Sequence, residues 1–111
     1  MSHTPDLRLL FPDYRVRTTS DHVKGTRILP ENLEIPGRYG TVYVFPDSAR
    51  VYACTRAPRV AAQLRRTETV TVHQDGDHEV CCHFRPEDAA PVLALLRCYR
   101  KRQLREQQVA A

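Results

Sequence analysis

No apolar run in the chain approaches the ~20 residues a bilayer-spanning helix requires, which excludes a helical membrane protein and membrane partners of that kind. The opening residues Met1-Ser2-His3-Thr4-Pro5-Asp6 lack the basic stretch and long apolar block of a secretory signal, so a cytoplasmic location is expected. There is no low-complexity linker, and one domain spanning 1–111 is therefore expected. The four cysteines, Cys54, Cys81, Cys82 and Cys98, do not show C-x-x-C spacing, which argues against a zinc ribbon and against a thioredoxin-type redox pair. Phosphate-binding and nucleophile motifs of the G-x-x-x-x-G-K-S/T, G-x-S-x-G, H-E-x-x-H and G-x-G-x-x-G types are missing. Gly37-Arg38-Tyr39-Gly40 has the wrong spacing for a phosphate cradle, and Asp75-Gly76-Asp77 is explained by a turn. A non-enzymatic protein without cofactor is the expectation.

What is present is a composition suited to an ordered fold, 41% hydrophobic and 27% charged over 111 residues. The formal net charge of +4 is unevenly placed. Arg97, Arg100, Lys101, Arg102 and Arg105 stand against the single acid Glu106, so the C-terminal stretch carries the whole excess. Upstream, Arg50, Arg56, Arg59, Arg65 and Arg66 form an acid-free block from 48 to 67, followed by an acidic block from 68 to 88. A basic tail and a basic helix face suit an acidic partner such as nucleic acid.

Sliding the sequence by 28 residues matches Thr41, Val42, Val44 and Asp47 with Thr69, Val70, Val72 and Asp75. It also matches Cys54 with Cys82, Pro58 with Pro86, and Ala61-Ala62 with Ala89-Ala90. The pattern predicts an α+β fold whose antiparallel sheet is built from a duplicated β-hairpin–helix unit, ββα–ββα, with copies at 41–67 and 69–106. Residues 1–40 are expected to be an irregular wrapping section with one strand near Tyr14–Thr18. The prolines of Leu29–Gly37 argue for a loop there.

In the second hairpin a three-residue loop, Gln74-Asp75-Gly76 with a left-handed glycine, would place Val70, Val72, Val80, Cys82 and Phe84 on one face. The same register puts Val42, Val44, Tyr52 and Cys54 inside in the first copy, and Tyr43, Phe45, Val51 and Ala53 outside. An apolar outer patch needs a cover. The N-terminal section, a second subunit, or a partner such as stacked bases could supply it. Pro58 fits the first turn of a helix with Val60, Ala61 and Leu64 buried and Arg59, Arg65 and Arg66 outward. A second helix is expected from Asp88 as N-cap, with Val92, Leu95, Leu96 and Tyr99 as its stripe and Arg100 to Arg105 closing it.

His73, His78, Cys81 and His83 resemble a metal set in composition. The expected register splits them between faces, so no metal site is assigned. Cys81, Glu79 and His83 as a catalytic set are likewise too far apart along a strand. The favoured reading is a small nucleic-acid-binding accessory protein using Arg59, Arg65, Arg66, Arg97, Arg100, Lys101, Arg102 and Arg105, with Tyr43 and Phe45 available for stacking. The alternative is a protein-interaction module or homodimer built on Tyr43, Phe45 and Val51.

Overall fold

In a computed structural model describing residues 4–101, short β-rich segments are separated by turns and two proline-initiated helical stretches, giving an α+β fold. The elements are α1 (Leu7–Leu10), β1 (Arg17–Thr18), β2 (Leu33–Pro36), β3 (Gly40–Tyr43), β4 (Val51–Thr55), α2 (Pro58–Arg66), β5 (Thr71–Asp75), β6 (Val80–Phe84) and α3 (Ala89–Leu95). Six strands form one antiparallel sheet in the order β1-β2-β3-β4-β6-β5. Among the described residues no helix is long and apolar enough to cross a membrane.

One face of the sheet carries the core. Leu33 and Ile35 of β2, Val42 of β3, Val51 and Ala53 of β4, and Val80, Cys82 and Phe84 of β6 are all buried there. Leu7 of α1, Val60 and Leu64 of α2, and Val92, Leu93 and Leu96 at α3 join the same cluster. Helix α2 starts as its sequence requires, with Pro58 in the first turn after Ala57, and it buries Val60, Ala61 and Leu64. Asp88 occupies the cap position of α3, and its carboxylate binds Arg85 Nε at 2.9 Å.

The strand–strand–helix order occurs twice, but the two hairpins are not equivalent. In β3–β4, Val42 faces Ala53 and Tyr43 faces Tyr52, so Val51 and Ala53 point inward and Tyr52 and Cys54 outward. This reverses the expected faces of β4. In the second hairpin Asp75 faces Val80 across the turn Gly76–Glu79, and a register shift falls between Val72 and Gln74. The three-residue loop is therefore not formed. Gly25 is the only glycine with positive φ among the described residues, so Gly76 has no left-handed conformation to serve. Cys54 and Cys82, matched by the 28-residue offset, lie on opposite faces.

The N-terminal section does more than wrap. Its residues supply β1 and β2, which extend the sheet beyond β3. Pro30 opens a 3-10 turn before β2 and Pro36 ends that strand, so neither proline interrupts a ladder from within.

Helix α3 is also shorter than expected. Arg97 adopts φ 50°, its N–H reaches the Ala94 carbonyl, and the Cys98 N–H reaches that of Leu93. That pair of bonds is a Schellman closure, here with arginine in the left-handed position usually held by glycine. The chain then runs back extended, bridging Cys98 to Gly37 and Arg100 to Tyr14. Tyr99, expected in the buried stripe, is 46% exposed.

Candidate functional site on the outer sheet face

All three helices contribute to the core on the inner face, so the outward side chains of the sheet define the opposite surface. Ladder pairing lines up Arg17, Glu34, Tyr43, Tyr52, His83 and Thr71 in one row across all six strands. A second row holds Pro36, Thr41, Cys54, Cys81 and Gln74.

The first row is an aromatic cluster. Tyr43 and Tyr52 stack at 5.9 Å with their planes 24° apart. Phe45 stands edge-on to both, at 5.3 and 4.6 Å. His83 lies 5.5 Å from Tyr52, and His73, bulged out of β5, stacks on His83 at 5.4 Å. Phe45 remains 46% exposed, so no described residue of the N-terminal section covers that ring fully.

Polar groups fix the rings. Ser48 Oγ lies 3.0 Å from the Tyr52 hydroxyl, and the Tyr43 hydroxyl lies 3.1 Å from Cys54 Sγ. Arg50 Nε donates to Nδ1 of His83. Arg17 Nε meets Glu34 Oε2 at 2.7 Å. Partial burial raises the Tyr43 pKa above its usual 10. His83 is held below 6.5 by burial first, then by Arg50 and His73.

Because the folded His83 pKa is depressed, its stabilising contribution is present above the unfolded value of 6.5 and is lost as pH falls through the folded value. Protonation also claims the Nδ1 lone pair that accepts from Arg50. Urea midpoints measured at pH 7 and pH 5 are expected to fall with acid, and to fall less in His83→Gln. An identical fall in both proteins would show that His83 is not its source.

Beside the cluster, where β3 begins and β4 ends, lies an open cleft of about 490 Å³ walled by Arg38, Thr41, Tyr43, Cys54, Arg56 and Glu79. Cys54 and Cys81 face each other on β4 and β6 and form a disulfide. Cys82 and Cys98 remain free and buried, and burial pushes their thiols up to about 11 and about 12. Sequence reasoning missed the Cys54–Cys81 bond, because it placed Cys54 on the inner face.

The basic residues singled out earlier do not form one patch. Arg65 is held by Asp75 through contacts of 3.0 and 2.7 Å. Arg59 and Arg97 line a different cleft, about 560 Å³, between α2 and α3. Arg66 is exposed at the end of α2. The Arg100 guanidinium lies 5.2 Å above the Tyr14 ring, and Lys101 lines a third cleft with Arg15 and Arg17. Arg102 and Arg105 lie outside the described residues. The expected basic helix end is instead an extended segment beginning at the left-handed Arg97. Val51 is fully buried in the core, which removes it from any surface patch.

Tyr43 and Phe45 lie together on the outer face, beside Tyr52, His73, His83 and Arg50, which the sequence reading did not group with them. Their signal was the aromatic and imidazole content of β4, β5 and β6, which becomes spatial only once β6 is known to pair with β4. Comparison with protein-family models, curated proteins and solved structures finds no match for this chain.

Proposed function

We propose that the protein is a non-enzymatic single-stranded nucleic-acid-binding module whose stacking platform is the outer sheet face. One observation carries the reading: Tyr43, Phe45, Tyr52, His73 and His83 cluster on the face opposite the helices. Unpaired bases stack on such rings without needing sequence-specific contacts, at ~1–3 kcal/mol per base. Arg50, next to His83, and Arg38 and Arg56, along the cleft, supply cations beside the rings for the phosphodiester backbone. Relative to the sequence reading, the cations proposed for the backbone move from the helices to the sheet, while Tyr43 and Phe45 remain the stacking residues.

The test is fluorescence anisotropy with a labelled oligo-dT or oligo-rU, at two salt concentrations. Phe45→Ala and Tyr52→Ala are each expected to weaken binding by roughly 5- to 100-fold, the equivalent of one lost stack. Arg59→Ala and Arg66→Ala, on α2, should change affinity less than twofold. Absence of binding by the wild type, or equal sensitivity on the two sides, overturns the reading.

A second reading is favoured by the position of β5 at the end of the sheet, its outer edge unpaired within the described order. Such an edge is a template for strand addition by a second copy or another protein. Light scattering separates the two: a concentration-dependent dimer insensitive to Phe45→Ala favours edge pairing.

A further inference from the structure

The geometry points to a redox-gated site for a thiophilic divalent cation of the Zn²⁺ type, formed by Cys54, Cys81 and Glu79 when the disulfide is reduced. The ligand atoms of these three residues lie within 4.8 Å of one another. Cys81 Sγ is 3.8 Å from Glu79 Oε1. A thiolate sulfur and a carboxylate oxygen bound tetrahedrally to one zinc ion, at ~2.3 and ~2.1 Å, stand about 3.6 Å apart. The set therefore needs little movement beyond opening the sulfur–sulfur bond.

Fold and charge agree with the assignment. Cys54 and Cys81 come from directly paired central strands, and Glu79 sits one residue before β6, so the backbone holds all three donors together. Two thiolates and a carboxylate present three anionic ligands, and a divalent cation neutralises most of that charge. Glu79 now faces Arg56 at 3.6 Å, but that arginine is 82% exposed and free to swing away. The Tyr43 hydroxyl lies where it can donate to a Cys54 thiolate. Cys54 and Glu79 line the open cleft, leaving a fourth coordination position toward solvent. Three protein ligands plus an open position is the pattern of an exchangeable zinc site, in contrast to a closed structural one.

The gating step balances as thiol–disulfide exchange with a dithiol reductant. One reductant thiolate attacks Cys54 Sγ, the sulfur that lines the cleft, and Cys81 leaves as thiolate and is protonated. The second reductant thiol then displaces Cys54 from the mixed disulfide. The reductant departs as its own disulfide, and the protein gains two electrons and two protons. Zn²⁺ binding next releases both thiol protons. Oxidation reverses the sequence and closes the site, because sulfurs bonded to each other cannot act as thiolate ligands.

The experiment titrates Co²⁺, as a spectroscopic stand-in for zinc, into full-length protein reduced with a phosphine under anaerobic conditions. A thiolate-to-cobalt charge-transfer band saturating at one ion per chain, displaced by Zn²⁺, is expected. The oxidised protein, Cys54→Ser and Cys81→Ser should give no such band, while Glu79→Gln should keep it with affinity lowered by at least ~10-fold. No band in the reduced wild type, an unchanged band in Cys54→Ser, or equal binding by the oxidised protein overturns the assignment. Should a serine variant not fold, wild-type protein settles the matter through iodoacetamide labelling mapped by mass spectrometry. Zn²⁺ must protect Cys54 and Cys81 in the reduced protein, and equal labelling with and without Zn²⁺ refutes the site.

Discussion

Phe84→Ala is expected to cost roughly 3–5 kcal/mol of folding stability, while truncating its neighbour His83 costs about 1 kcal/mol or less. Phe84 is fully buried on the inner face of β6 and His83 is half-buried on the outer one. One step along a strand thus separates a core anchor from a surface ring. The loss at Phe84 combines the transfer free energy of the ring with the cavity it leaves, which neighbours such as Val51, facing it across the ladder, cannot fill without moving the strand. A domain of this size has ~5–15 kcal/mol in total, so the variant would sit near its unfolding threshold. Urea denaturation gives the measurement, with a Tm lowered by roughly 12–25 °C as a second readout. Equal losses at the two positions would mean that β6 is not oriented as described. The same orientation places His83 among the stacking rings, so this stability measurement also checks the geometry of the proposed binding face.

The β6 orientation was readable in the sequence because Val80, Cys82 and Phe84 alternate with Cys81 and His83, and only one parity carries bulk that must be buried. β4 offers no such contrast. Val51, Ala53 and Thr55 compete with Tyr52 and Cys54, and both parities are apolar enough to face a core. The structure settles it through polar groups and size. The Tyr52 hydroxyl reaches Ser48, an option closed to it inside, whereas Thr55, nearly fully buried, donates its hydroxyl to the Tyr39 carbonyl and accepts from the Ala57 N–H. The 28-residue offset misled at this point by transferring the parity of β6 onto β4. The end of α3 was hidden for another reason. Apolar spacing continues through Tyr99, and only the backbone conformation of Arg97 stops the helix. As for the candidate site, Tyr43 and Phe45 were visible as apolar residues needing a cover. The disulfide and the approach of Arg50 to His83 were not, since both depend on β6 pairing with β4, a non-local pairing that no turn specifies, and the histidine stack rests on the bulge that puts His73 out of the ladder.

Gly40→Ala is expected to destabilise the protein by about 3 kcal/mol, at the upper end of overpacking costs, and to disturb the cleft in the same stroke. A methyl group at Gly40 would press into the backbone carbonyl of Cys54 and come within 2.7 Å of Leu96 Cδ2. The leucine can rotate; the carbonyl belongs to β4, which is hydrogen-bonded on both sides by β3 and β6. Relief therefore requires β3 to move away from β4, and with it Tyr43 from Tyr52 and the cleft wall from Cys54. Gly37 nearby is packed as closely, since a methyl there would lie 2.7 Å from the Leu96 carbonyl oxygen. Gly76→Ala is the control. Its closest neighbour would be the Glu79 carbonyl oxygen at 3.2 Å, and its φ is not left-handed, so a change of about 1 kcal/mol or less is expected. Urea midpoints for the two variants supply the comparison, and Tyr fluorescence reports on the stacked pair. A Gly40 variant as stable as the Gly76 one would show that β3 and β4 are not in close backbone contact. The cleft beside the disulfide would then lose the wall that gives it its shape.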